Sequence, residues 1–107
     1  MTDINIVSTD TGIELTADNH AGNKVICAVC SANCCNLINI LEKELDDGHL
    51  DYLRWDVRDG YCRIEAETIP KHKERFKAIV DTVMIGFNAL AENYPKHIKV
   101  KSMEGRD

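Results

Sequence analysis

The sequence predicts a two-layer α+β domain of order ββαββαβ, with a mixed, mainly antiparallel sheet carrying two helices on one face. Three observations lead there. Short runs of alternating apolar and polar residues are separated by turn signals, the mark of strands joined as hairpins. Two much longer stretches, 24–45 and 70–94, change to a helical period. A chain of 107 residues, 44% hydrophobic and 29% charged, can fill one compact core but not two. The single domain is expected over 1–103, with 104–107 as a frayed tail.

Taken in order, Ile4 and Ile6, then Ile13, Leu15 and Ala17, alternate with polar residues around the turn Thr9-Asp10-Thr11-Gly12, giving the first two strands. A polar break, 18–23, precedes a helix from Lys24 to about Leu45. Asn23 is its expected N-cap, because the side-chain oxygen can accept from a free first-turn N–H. Its apolar stripe reads Cys30, Cys34, Leu37, Leu41, Leu45, and Gly48 stops it. From His49 to Arg58 alternation returns, with Leu53, Trp55 and Val57 on one face and Leu50, Tyr52 and Arg54 on the other. Asp59-Gly60 is a two-residue hairpin signal, and Cys62, Ile64 and Ala66 face inward on the strand that follows. Pro70 sits near the start of a second helix, where its missing N–H costs little. Phe76, Ile79, Val80, Val83, Phe87, Leu90 and Tyr94 form its apolar face, and Pro95 ends it. Ile98-Lys99-Val100 is the last strand.

Composition excludes some classes. Lys plus Arg number 13 against 18 Asp plus Glu, and a net charge of −5 opposes nonspecific binding to nucleic-acid phosphate. It suits a basic partner. No run of residues reads as a membrane span of roughly 18–20 apolar residues. Residues 1–5 lack the basic start and apolar stretch of a signal peptide, so a cytoplasmic location is expected. Four of the five cysteines (Cys27, Cys30, Cys34, Cys35) crowd into one predicted helix, a poor disulfide framework that points to a reducing compartment.

The chemistry-bearing stretch is "NHAGNKVICAVC", Asn19 to Cys30. The thiolate is the reactive form of cysteine, favoured at a helix start or beside a cationic histidine. Cys27 falls in or just past the first turn, and helix side chains lean back toward the N-terminus. His20 stands seven positions earlier, across six intervening residues that include Gly22, enough chain to fold its ring over the helix start. A His/Cys pair on a strand–loop–helix junction is therefore feasible, and free first-turn amides could hold an oxyanion. Other readings stay open from spacing alone. Cysteine is among the most buried residue types, so core packing accounts for Cys30, Cys34 and Cys62. Cys27-Ala28-Val29-Cys30 could be a redox pair, although hairpins replace the parallel βαβ context of thioredoxin-like proteins. A metal site from His20, Cys27, Cys30 and Cys34 would draw three ligands from one helix face and lacks a second Cys-x-x-Cys to close it. A non-enzymatic module using outward Leu50 and Tyr52 is a further reading. His49, His72 and His97 carry no matching pattern.

"HAGNKVICAVCSA" together with "YPKHIKV" resembles the ribosomal-processing cysteine protease family, Prp, across nearly the whole chain. The family pairs a Gly-His-Ala after the second strand with Cys-Ala-x-Val-Ser opening the first helix, and has a Tyr-Pro before the last strand. The resemblance implies His20 as catalytic histidine and Cys27 as nucleophile, with Ala21, Gly22 and Ser31 supporting the site or binding substrate. It implies removal of a short N-terminal extension from a large-subunit ribosomal protein, or capsid maturation in phage relatives. It also implies a homodimer and no metal or organic cofactor. Asn19 replaces the family's glycine, Lys24 stands where aspartate is frequent, and Cys30 and Asn33 replace valine and leucine. These departures leave His20 and Cys27 in place and bear on substrate choice.

Overall fold

The computed structural model describes residues 1–104. Strands β1 (Thr2–Ser8), β2 (Gly12–Asp18), β3 (Leu50–Arg58), β4 (Tyr61–Thr68) and β5 (Ile98–Glu104) form one sheet in the order β3-β4-β2-β1-β5. Every neighbouring pair is antiparallel except β1 with β5. Helices α1 (Lys24–Asp46) and α2 (Lys73–Asn93) share one face of it, so the predicted α+β architecture and element order hold.

The sheet's period of two sorts its faces. Ile4, Ile6, Ile13, Leu15, Ala17, Cys62, Ile64 and Ala66 lie under the helices, buried. The opposite face is polar, with Arg63 bridging Glu14 and Glu65. From α1, Ile26, Cys30, Cys34, Leu37, Ile38 and Leu41 complete the core, and from α2, Phe76, Val80, Val83 and Phe87. Each large side chain buried here contributes on the order of 1.5–3 kcal/mol. The helices approach closely where a Cβ on Gly86 would meet Asn33 Nδ2 at 2.9 Å. Asn33 is thus a contact between helices and does not line the site.

Four expectations change. Leu45 is exposed, and Glu44 takes the last position of the buried stripe because His49 and Arg75 neutralise its carboxylate. Leu50 faces the core: a bulge between Leu50 and Tyr52 adds a residue, so Leu50 and Leu53 share the inner face. Trp55 and Val57 do lie on the helix-facing side, but β3 is an edge strand that α1 leaves partly uncovered, and both are exposed. Glu104 ends β5 and is not tail; the remaining expected tail, 105–107, lies outside the described residues. In addition, α1 is long and apolar enough by composition to cross a membrane, with a mean hydropathy of 1.6. Its charges are confined to its two ends, which a search for unbroken apolar runs overlooks. In this fold its buried stripe packs on the sheet.

Candidate active site

The polar break after β2 becomes a tight loop that crosses from the sheet to α1. Asn19 opens it with φ 72°. Asparagine is one of the few residues with a side chain that visits this left-handed region readily, so the turn usually made by glycine survives its replacement. Asn19 N–H donates to Gly60 O at 2.8 Å, and Thr2 Oγ1 donates to Asn19 O at 2.9 Å. Asn23 caps α1 as expected, accepting from Val25 N–H and Ile26 N–H.

This loop brings Cys27 and the preceding backbone together. Ala21, 2% exposed, donates its N–H to Cys27 Sγ at 3.1 Å. The sulfur is thus held by a backbone donor from the loop that precedes the helix. Cys27 itself is half-buried, open to one side.

A cavity of about 310 Å³ lies between α1 and the β3–β4 turn. His20, Cys27 and Ser31 line it, as do Val57, Asp59 and the other four cysteines. The expected site residues His20, Cys27 and Ser31 are therefore gathered in one place. Ala21 joins through its amide alone, while Gly22 stays outside the lining and turns the chain with φ 78°. A second cleft of about 270 Å³, between the β1–β2 turn and α2, contains neither histidine nor cysteine.

His20 rests on the β3–β4 turn. A Cβ on Gly60 would sit 3.0 Å from His20 Nε2, so the glycine that makes the hairpin also makes room for the ring. Asp59 Oδ2 lies 3.5 Å from the same nitrogen. The sequence offered no orienting acid, because Asp59 is 39 residues from His20 and reads as turn chemistry. Only the β2–β4 pairing of Asp18 with Tyr61 brings that turn beside the loop. Among the described residues no hydrogen bond joins His20 to Cys27, and the ring leans toward Asp59.

The first-turn amides differ from expectation. Asn23 Oδ1 occupies Val25 N–H and Ile26 N–H, and Cys27 N–H donates to Asn23 O at 2.9 Å. The cap that stabilises the helix thus removes three candidate oxyanion donors, leaving the Ala21 amide as the backbone donor aimed at the sulfur.

Two of the neighbouring thiols, Cys30 and Cys34, are poorly suited to ionise, whereas the hydrogen bond from Cys34 favours the charged form of Cys62. Burial pushes the Cys30 thiol up, and nearby Cys27 adds to the effect. A hydrogen bond to Cys62, then burial, push Cys34 up as well. Cys35 is exposed at the edge of the cavity. Among the described residues, the one group of three close metal-type donors is Glu44, Asp47 and His49, at the far end of α1. Arg75 and His49 already hold the Glu44 oxygens there, making it an ion-pair network.

A thiol steadied by a backbone amide, with a histidine on the rim of the same cavity, fits the chemistry of a cysteine protease, and the comparison with known families assigns that class. The family described as cysteine protease Prp matches residues 1–99, and the chain belongs to it. Among solved structures, SMU.848 from Streptococcus mutans superposes with a TM-score of 0.71 at 25% identity, covering 98% of this chain and 96% of that one. The ribosomal processing protease Prp from S. aureus, with a covalently linked product peptide, gives 0.67 at 18% identity, over 96% and 100%. The same S. aureus protease with a substrate peptide gives 0.68 at 15%, again over 96% and 100%. No curated protein matches the sequence.

Proposed function

We propose that this cysteine protease cuts a ribosomal protein precursor within a short, basic, extended N-terminal segment, using Cys27 as nucleophile and His20 as base. The observation that carries this reading is the Ala21 N–H to Cys27 Sγ contact at 3.1 Å, beside a cavity that His20 also lines. Family membership supports it, as does the S. aureus relative, which is a ribosomal processing protease.

The reaction follows from the atoms present. His20 turns from Asp59 toward Cys27, takes the thiol proton, and the thiolate attacks the peptide carbonyl. As the sulfur becomes bonded to carbon it loses its negative charge, and the charge moves to the former carbonyl oxygen. The Ala21 N–H then serves that oxyanion instead of the sulfur. His20 protonates the leaving amine, and water, deprotonated by the same ring, releases the acyl group. Asp59 gives the ring a resting partner between these steps, a weak one because water screens an exposed pair. Exposed Val57 on the cavity wall, continued by exposed Trp55 two residues earlier on the same face of β3, offers an apolar border for an extended peptide.

The test is cleavage of a synthetic ribosomal-precursor peptide followed by mass spectrometry. Wild type is expected to cut once, and Cys27→Ala to lose at least about a thousandfold while melting as wild type does. Undiminished cleavage by Cys27→Ala would overturn the reading. Cleavage of a capsid-protein peptide, with the ribosomal peptide left intact, would move the substrate to the phage-type alternative. The homodimer implied by the family resemblance and the cytoplasmic location expected from the sequence are part of the same proposal, to be checked by analytical ultracentrifugation and by cell fractionation.

A further inference from the structure

We infer that His97 is a positioning residue for the Cys27 centre, its ring Nδ1–H holding the Ala21 carbonyl so that the Ala21 amide stays aimed at the sulfur. This rests on the reading of Cys27 as nucleophile.

His97 lies 76 residues from Ala21, in the turn between α2 and β5. The turn is closed by His97 N–H and Ile98 N–H donating to Tyr94 O at 2.9 and 3.1 Å. It presents the half-buried ring to the loop, where Nδ1 is 2.7 Å from Ala21 O. A carbonyl can only accept, so Nδ1 carries the proton in this contact. On its other side, His97 O accepts from Thr2 N–H at 2.8 Å, and Thr2 Oγ1 holds Asn19 O. The loop is therefore anchored to the sheet through β1 and the start of β5.

The consequence for Cys27 is geometric. Ala21 N–H and Ala21 C=O share one residue, and rotation about its two backbone dihedrals moves the donor relative to the sulfur. Gly22 follows with φ 78° and gives little resistance to such rotation. Asn23 pins the helix side of the loop but not Ala21. Holding the carbonyl from β5 removes that freedom, so a residue outside the cavity sets the direction of the amide inside it. His97 is absent from the cavity lining, so its role is positioning and not contact with substrate.

The test uses site-resolved alkylation with iodoacetamide on reduced full-length protein, comparing wild type, His97→Ala, His97→Asn, His97→Gln and His20→Ala at neutral pH. Asparagine places an N–H donor at nearly the position of Nδ1, whereas glutamine places it one bond further out. Loss of a hydrogen bond that organises a charged group predicts Cys27 alkylation about three- to tenfold slower in His97→Ala and His97→Gln. His97→Asn should stay within about twofold of wild type, with exposed Cys35 unchanged throughout as the fold control. Equal Cys27 rates in all three His97 variants overturn the inference, because a merely structural role gives asparagine no advantage over glutamine. If His97→Ala does not fold, the asparagine–glutamine pair decides alone. Fast Cys27 alkylation that slows in His20→Ala but ignores His97 defeats only the positioning role. Wild-type Cys27 no faster than Cys35 defeats the nucleophile reading, and the inference falls with it.

Discussion

Both ends of α1 set a histidine beside a carboxylate. At the C-terminal end, His49 Nδ1 lies 2.5 Å from Glu44, whose side chain is 4% exposed. At the N-terminal end, His20 Nε2 lies 3.5 Å from Asp59, whose side chain is 96% exposed. Charges attract through a distance and a dielectric, and both factors favour the first pair. Arg75 also donates to Glu44, and the His72 ring stacks on His49 with centroids 4.2 Å apart. Among the described residues, no buried acid, arginine or second ring restrains His20 in this way. The difference teaches what each pair can do. A ring locked to a buried acid ties a helix end to the chain that follows it, whereas a ring leaning on an exposed acid can turn toward a thiol and back.

The largest test of this contrast removes the buried acid. Glu44→Ala leaves His49 and Arg75 without a partner, and because Arg75 can swing into water the expected loss is about 2–3 kcal/mol. Chemical denaturation should register it, while Cys27 alkylation stays at the wild-type rate. A slowed Cys27 would mean that the two ends are coupled through the helix.

Acid should attack the same end first. Burial, with His49 and Lys71 adding to it, holds His72 below its ordinary value. The folded state therefore prefers the neutral ring, so this contribution is intact above about pH 6.5 and is lost as the pH falls from there through the lowered value. Burial alone would raise Glu44, but hydrogen bonds from His49 and Arg75 outweigh it and hold the carboxyl below the usual range. Its contribution is present above about pH 4.3 and disappears as the pH falls through the depressed value. Urea midpoints measured from about pH 7 downward should show two successive losses, the first absent in His72→Phe. A single loss confined below about pH 4.5 would remove His72 from the account.

Smaller effects belong to the open end. Gly60→Ala places a methyl 3.0 Å from His20 Nε2 on backbone with φ 70°. The expected cost is about 1 kcal/mol in stability, with cleavage falling further than stability because the ring is displaced. Equal melting temperatures and equal turnover would show that His20 does not rest there. Asp59→Asn should be the mildest, slowing cleavage about two- to fivefold with stability unchanged, in keeping with an exposed pair. A hundredfold loss would make Asp59 a full member of the catalytic group and erase the contrast drawn above.

The sequence by itself determined the element order, the helix start at Asn23, the Asp59-Gly60 hairpin and the nomination of His20 and Cys27. All of these depend on residues close in the chain: alternation, helical period, a cap three residues from the amide it serves, a two-residue turn. The tertiary structure alone decided which atoms meet at longer range. A one-residue bulge turned Leu50 inward and ended its candidacy as a surface contact. Strand pairing carried Asp59 to His20, and the turn before β5 carried His97 to the Ala21 carbonyl. The helix cap took the amides that periodicity had left free, and the thiol at Cys27 found its donor one residue after His20 instead. Local propensities select conformations within a few residues, but a site is a meeting of segments whose register only the packed sheet sets.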